Sequence, residues 1–178
     1  MSFYNEILPN LYLGSVEASR DTDFIHSKNI CVIVNCSKDI IDTYSLNLLK
    51  PIEDAPKEVQ EWLYNNSYYV KYYRIPVDDS GREKDIEQFY KLTLSLLPII
   101  KKEYDAGKKI LVHCQAGVQR SASFVCAFLM YYHRTSLQRA IDYVLEKKPN
   151  VFFFGRQNNF INALHNIEDD IKNNLIEL

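Results

Sequence analysis

Residues 108–130, KKILVHCQAGVQRSASFVCAFLM, constrain the fold of this chain more than any other stretch. The run 108–114 is short, aliphatic and rich in β-branched residues, which predicts a strand. A five-residue loop containing Gly117 follows, and from Arg120 onward the sequence is apolar over several helical turns, which predicts a buried helix. A strand that passes through a tight loop into a helix is a building unit of α/β folds.

The rest of the chain repeats this alternation of strands and helices. Apolar, β-branched runs predict further strands at 11–15, 30–37 and 70–77. Helical periodicity predicts helices at 15–29, 85–104, 120–133, 136–147 and 156–171. Ser15 and Ser136 are the expected N-caps of two helices, and Pro98 is expected to kink or split a third. The pattern predicts an α/β fold whose mostly parallel central sheet is flanked by helices.

Length and composition indicate one globular domain, predicted to span residues 1–178. The acidic segment 38–69 fits the alternating pattern least, and we interpret it as an ordered excursion from the domain. The net charge of -2 gives no support for binding to nucleic acid or to a membrane through bulk charge. No signal peptide or long apolar span is visible, so a cytoplasmic location is expected, with the nucleus left open.

The cysteines do not have the spacing of a metal site, because no CxxC pair occurs. Cys31, Cys36 and Cys126 lie in apolar surroundings, and we expect them to be buried free thiols. Cys114 differs from them because a loop with the features of an anion site follows it.

The loop from Cys114 to Arg120 is predicted to bind a phosphate group. The preceding strand should end at the carboxyl edge of the sheet, where ligands bind in open α/β sheets. Free N–H groups and the helix dipole at the start of the next helix attract anions. Backbone N–H groups from Gln115 onward can form a nest. Gly117 permits a left-handed turn, and Arg120 can hold two phosphate oxygens.

Cys114 is the candidate nucleophile, because positive surroundings favour the reactive thiolate. The Ser121 hydroxyl could donate to this sulfur and later help it to leave. The reaction also needs a general acid, and Asp78 and Asp79 follow the strand predicted at 70–77. A lone Cys-x5-Arg pattern often occurs by chance, but here the strand, the helix, the glycine and the serine coincide.

These features resemble the dual-specificity branch of the cysteine-dependent protein tyrosine phosphatases. VHCQAGVQRSASFVCAFLM (112–130) is similar to that family's signature strand, phosphate loop and following helix. LPNLYLGS (8–15), VNCS (34–37), YYRIPVDD (72–79) and KKPNVFFFGRQNNFINAL (147–164) fall in the family's order. The resemblance covers most of the chain outside residues 40–69. It implies a protein-tyrosine-phosphatase-like fold and a small, atypical, single-domain member.

The resemblance implies a two-step reaction on phosphorylated proteins, without metal or cofactor. Cys114 attacks phosphorus and forms a phosphocysteine, and an aspartic acid protonates the leaving group and then activates water. His113 matches the family's histidine that orients the loop and supports the thiolate, and Ser121 matches its hydroxyl residue. The phosphate-binding loop implied in this way comprises Gln115, Ala116, Gly117, Val118, Gln119 and Arg120.

The resemblance leaves the identity of the general acid open, and one loop residue departs from the family pattern. In the run PVDD (76–79), family members use the second acidic residue, which favours Asp79. The spacer before Ile86 is longer than usual, so Asp78 stays open. Gln119 stands where a serine is common, and activity should survive because only its backbone N–H is required for phosphate binding.

Three alternative functions share parts of this pattern. Lipid-specific relatives carry extra lysines in the loop, whereas residues 115–119 contain no cation. An RNA 5′-triphosphatase is disfavoured by the net charge and the absence of a basic stripe. A non-enzymatic phosphoprotein-binding module usually lacks the cysteine, the arginine or the acid, and all three are present here. Phosphorylated proteins are the expected partners, without nucleic acid or membrane, and the choice between a monomer and a weak dimer is left open.

Overall fold

Five strands form the centre of the computed structural model, which describes residues 2–40, 70–152 and 158–176. The strands are β1 (Tyr4–Leu8), β2 (Leu11–Gly14), β3 (Ile30–Asn35), β4 (Lys71–Arg74) and β5 (Lys109–His113). Their order in the sheet is β1-β2-β5-β3-β4. All neighbouring pairs are parallel except β1 and β2, which are antiparallel. This arrangement confirms the predicted mostly parallel α/β sheet.

Helices cover both faces of this sheet. They are α1 (Val16–Arg20), α2 (Thr22–Ser27), α3 (Glu83–Asp105), α4 (Arg120–His133), α5 (Leu137–Lys147) and α6 (Ile161–Lys172). The predicted cap of α5 is confirmed, because the Ser136 side chain accepts a hydrogen bond from Arg139 N at 3.3 Å. The excursion predicted at 38–69 lies outside the described residues except for 38–40, so it stays a prediction.

Helix α4 is the centre of the larger of two apolar cores that the described residues form. Every residue from Ser121 to Tyr131 is buried, and the helix packs on β2 and β5 and against α3, α5 and α6. A smaller core lies under α1 and α2 and includes Tyr12, Phe24 and Leu111. The sheet is therefore buried on both faces at β5, which explains the continuous apolar run of this strand.

The sequence pattern did not predict β1, because the opening residues look polar. In the structure Ile7 and Leu8 are buried, and the Pro9-Asn10 pair forms the turn into β2. Asn10 has a φ of 71°. Proline followed by a residue with positive φ is a signature of a type II turn, so this dipeptide was the available signal.

The structure revises the predictions for two helices. The helix predicted at 15–29 is two helices, because the Asp21 side chain accepts from Phe24 N at 2.9 Å and caps α2. Ser15 is the N-cap residue of α1, as predicted, but its side chain makes no cap hydrogen bond. Pro98 lies inside α3, which runs unbroken from Glu83 to Asp105, so the predicted split does not occur and the kink stays a prediction.

Four parallel strands end together at one edge of the sheet, with Asn35 of β3 in register with Arg74 at the end of β4. His113 at the end of β5 is in register with Gly14 of β2 and with Asn35 of β3. Cys36 N donates to His113 O at 2.8 Å, which holds the chain beyond β3 beside the chain beyond β5. The residues that follow these strands therefore meet at the carboxyl edge, the expected place for a ligand site.

All four cysteines are free, and Cys36, Cys114 and Cys126 are buried. Cys31 is partly exposed, so the prediction that it is buried is wrong. Residues 2–40, 70–152 and 158–176 contain no group of three or more His, Cys, Asp or Glu that could hold a metal ion. No helix in these ranges is long and apolar enough to cross a bilayer.

Candidate active site

Cys114 lies directly after β5 and is 2% exposed. Its Sγ accepts a hydrogen bond from Gly117 N at 3.3 Å and another from Ser121 Oγ at 3.1 Å. These two hydrogen bonds hold the sulfur in place inside the loop. The structure thus brings the predicted nucleophile, the loop glycine and the hydroxyl residue together around one sulfur.

Gly117 fixes the shape of the loop around this sulfur. Its φ is 72°, which residues with a Cβ rarely adopt. A Cβ at this position would lie 2.6 Å from Gly14 O, at the end of β2. Beside this contact, Val16 N donates to Gln115 O at 3.1 Å. The loop is therefore pressed against the chain that leaves β2, and only glycine fits at its centre.

Arg120 is the first residue of α4 and connects the loop to the segment that carries the aspartates. Its Nη1 donates to Val77 O at 3.1 Å. Its Nε is buried and has no hydrogen-bond partner within the part of the chain that the structure describes. Buried donors are normally paired, and an oxyanion bound in the loop would supply the missing acceptor.

His113 is buried immediately before the nucleophile, with 1% of its surface exposed. Burial lowers the pKa of its imidazole to about 4, although an interaction with the Cys114 backbone opposes this shift. The imidazole is therefore neutral at pH 7. Any support that His113 gives to the thiolate acts through hydrogen bonding and backbone position, because it carries no positive charge there.

Lys148 is a cation near the site that the sequence pattern did not single out. It is the C-cap residue of α5 and is 8% exposed. Burial lowers the pKa of its ammonium group, and the attraction of Cys114 acts in the opposite direction.

The two candidate acids have different surroundings. The Asp78 carboxylate, which is half-buried, lies 3.7 Å from Lys38 Nζ. The Asp79 carboxylate is exposed, and its Oδ1 accepts from Asn159 Nδ2 at 2.6 Å. Asn159 precedes α6, so Asp79 contacts a segment that also touches the phosphate loop.

Asp85 shapes the loop that carries both candidates, and sequence reasoning missed it. It is 4% exposed, its Oδ1 accepts from Asp78 N at 3.1 Å and its Oδ2 accepts from Ser80 Oγ at 3.0 Å. Burial raises the pKa of this carboxyl, but the donors from Asp78 and Ser80, together with the attraction of Lys84 and Lys38, lower it overall. An aspartate in the first turn of α3 was the available signal, since acidic residues favour helix N-termini.

Gln119, which had no role in the sequence pattern beyond its backbone N–H, is the most buried polar residue of the loop. It is 1% exposed, and its Oε1 accepts from Asn159 N at 3.4 Å. The sequence pattern did not single out Asn159 either, because this contact joins positions 40 residues apart.

Comparison with known proteins places these residues in a known family of domains. A family model described as the dual specificity phosphatase catalytic domain matches residues 11–170. Mouse dual specificity protein phosphatase 2 is 30% identical over 155 residues, which cover 85% of this chain and 41% of the mouse protein. The Caenorhabditis elegans tyrosine-protein phosphatase vhp-1 is 30% identical over 145 residues, or 82% of this chain and 18% of that protein. The chain therefore spans less than half the length of these relatives.

The fold also has a close match among solved structures. The crystal structure of human DUSP28 superposes with a TM-score of 0.70 at 22% identity, and the match covers 97% of both chains. At this identity the likeness concerns the fold. It confirms the expected phosphatase-like arrangement of sheet and helices.

Proposed function

This chain belongs to the dual specificity phosphatase family, and we propose that it hydrolyses phosphotyrosine, phosphoserine and phosphothreonine on proteins through a phosphocysteine intermediate. One observation carries the proposal: the Cys114 sulfur accepts from Gly117 N and Ser121 Oγ in a loop that ends in Arg120. A buried nucleophile at an anion site suits a phosphate ester, because the loop binds the phosphate and the sulfur attacks its phosphorus.

In the first step the Cys114 thiolate attacks phosphorus, so that the P–S bond forms as the ester P–O bond breaks. Asp79 gives its proton to the leaving oxygen. The loop N–H groups and the Arg120 guanidinium hold the remaining phosphate oxygens as their charge is redistributed. The product is a phosphocysteine and a free hydroxyl on the protein substrate.

In the second step the Asp79 carboxylate takes a proton from water, whose oxygen attacks the phosphocysteine. The P–S bond breaks, inorganic phosphate leaves and the thiolate is restored. Ser121 Oγ, which lies 3.1 Å from Sγ, donates to the departing sulfur. The proposed reaction consumes one water and needs no group beyond those that this chain supplies.

The first test is hydrolysis of p-nitrophenyl phosphate in the presence of a metal chelator. We expect activity that vanadate inhibits, and a loss of at least about a thousandfold in Cys114→Ser. Cys31→Ser is the matched control, because Cys31 is a partly exposed thiol outside the site and should leave the rate unchanged. If the wild-type protein were no faster than Cys114→Ser, the proposed phosphatase activity would be refuted. Phosphopeptide binding without hydrolysis would then favour the binding module.

Phosphopeptides are the second test, because they address the substrate class. Three peptides of one sequence, carrying phosphotyrosine, phosphoserine or phosphothreonine, should all release phosphate. Release from the phosphotyrosine peptide alone would restrict the proposal to tyrosine, and release from none of them would shift the search to other phosphate esters.

A further inference from the structure

Asn159 joins the phosphate loop to the loop of the candidate acid. We propose that Asn159, itself held by Gln119, is a positioning residue that orients Asp79 as the general acid. The inference rests on the proposed function and deepens it. It gives the Gln119 side chain a role, and it supplies a structural reason for preferring Asp79 over Asp78.

The contact between Asn159 and Asp79 involves both the side chain and the backbone of the aspartate. Asn159 Nδ2 lies 2.6 Å from Asp79 Oδ1 and 3.5 Å from Asp79 O. Asp79 is exposed, and an exposed carboxylate without a partner would sample several rotamers. The amide restricts that freedom and leaves Oδ2 to carry the transferable proton.

Gln119 fixes the backbone of Asn159 to the phosphate loop. Gln119 Oε1 accepts from Asn159 N at 3.4 Å, and Gln119 O accepts from Ser123 N at 2.8 Å inside α4. A buried side chain at the start of a rigid helix is a firm anchor. A serine here would have a shorter side chain and would not place an oxygen at the same distance from the helix.

Further hydrogen bonds dock Phe152 and Asn158, which lie before Asn159 in the chain, on the same loop and helix. Phe152 N donates to Val118 O at 2.8 Å, and Ser123 Oγ donates to Asn158 Oδ1 at 3.3 Å. Asn158 Oδ1 also accepts from Phe160 N at 2.8 Å. The loop that binds phosphate therefore fixes the backbone position of Asn159. Through Asn159 it also fixes the position of Asp79 relative to Cys114.

Asp78 lacks this connection among its described contacts. Its carboxylate is close to Lys38, and its backbone N–H is held by Asp85. A general acid must reach the leaving oxygen at hydrogen-bond distance, and small misplacements reduce the rate strongly. The residue tied to the phosphate loop is therefore the better acid, and Asp78 with Asp85 shapes the turn.

The test compares two substrates that depend differently on an acid. Phenyl phosphate has a poor leaving group and needs proton transfer, whereas p-nitrophenyl phosphate has a good one. In Asn159→Leu, which keeps the volume and removes the donor, we expect kcat for phenyl phosphate to fall about tenfold. The kcat for p-nitrophenyl phosphate should change much less. In an Asp79→Asn background, Asn159→Leu should have no further effect on either substrate.

Two other variants separate positioning from folding. Asn166→Leu, at an exposed position of α6, is the matched control and should leave both rates unchanged. Gln119→Met keeps the side-chain length but removes the acceptor, and it should shift the substrate ratio in the same direction as Asn159→Leu. If Asn159→Leu lowers the melting temperature, Gln119→Met still tests the connection from Gln119 through Asn159 to Asp79.

Several outcomes would overturn the inference. An equal loss on both substrates in Asn159→Leu would indicate a merely structural contact. A loss that persists in the Asp79→Asn background, or a larger acid defect in Asp78→Asn than in Asp79→Asn, would show that Asn159 does not act through Asp79. Each of these results is compatible with an active wild type and an inactive Cys114→Ser, so the proposed function can hold when the inference fails.

Discussion

Gly117 is the residue at which backbone conformation and packing impose the same requirement. Its left-handed φ places the N–H toward Cys114 Sγ, and the absence of a Cβ lets Gly14 O approach. Gly107 is a useful comparison, since its φ of 76° is similar but nothing lies within 4 Å of the place that a Cβ would occupy. Substitutions at the two glycines therefore separate two free-energy costs. Both include the cost of a positive φ, and only the one at Gly117 includes the clash with Gly14.

We therefore expect Gly117→Ala to destabilise the protein by about 2–4 kcal/mol and to reduce kcat at least about a hundredfold. The displaced loop would no longer direct its N–H groups at the phosphate. Gly107→Ala should cost about 1 kcal/mol and leave kcat unchanged. Urea unfolding and p-nitrophenyl phosphate kinetics measure the two effects. Equal losses in the two variants would mean that the contact with Gly14 is unimportant.

At the scale of elements, the sequence was most informative where one local pattern decides the outcome. The apolar run after Arg120 predicts α4, and Ser136 predicts the start of α5, because periodicity and capping act within a few residues. The same local signals place Cys114 and Arg120 at either end of the loop.

Predictions failed where a distant contact or a competing cap decides. β1 depends on pairing with β2, and Asp21 interrupts a helical pattern by capping the next turn. Asn159 could not be found from sequence, because its contacts with Gln119 and Asp79 cross 40 and 80 residues. The phosphate loop is a local motif, whereas the orientation of the acid is a property of the tertiary structure.

Glu103 of α3 ties this helix to the sheet. Its Oε1 lies 2.6 Å from Lys71 Nζ and accepts from Tyr73 Oη at 2.8 Å, both on β4. Its Oε2 lies 2.5 Å from Lys108 Nζ, just before β5. Burial would raise the pKa of this carboxyl, but the three donors outweigh burial and lower the pKa to about 2.

The pH dependence follows from the sign of this shift. Because the folded-state pKa is below the ordinary 4.5, Glu103 contributes stability above pH 4.5 and loses it as the pH falls towards 2. We expect Glu103→Gln to cost about 2 kcal/mol at pH 7, and the gap to wild type to shrink to less than half at pH 3. Urea unfolding at both values is the measurement. Glu87→Gln, on the exposed side of α3, is the control. A stability difference between Glu103→Gln and wild type that does not change with pH would contradict the lowered pKa of Glu103.

For the whole molecule, folding and anion binding are thermodynamically coupled. The carboxyl ends of β2, β3 and β5 and the start of α4 converge on the loop, so an anion that binds there binds only the folded chain. A ligand of this kind must raise the free energy of unfolding by mass action. The buried Nε of Arg120 lacks an acceptor among the described residues, and a bound anion would give it a hydrogen bond. We expect this group to contribute most to the stabilisation.

We expect inorganic phosphate at ten times its Kd to stabilise the wild type by about 1.4 kcal/mol, which raises Tm by about 3–5 °C. Cys114→Ser should keep the rise, because it leaves the loop N–H groups and Arg120 in place. Arg120→Met should lose most of the rise. Arg139→Met, which removes the same charge from an exposed position of α5, should keep it. Chloride at equal ionic strength corrects for screening. Equal behaviour of the two arginine variants would mean that phosphate acts on the surface as a whole, and the loop would then not be its binding site.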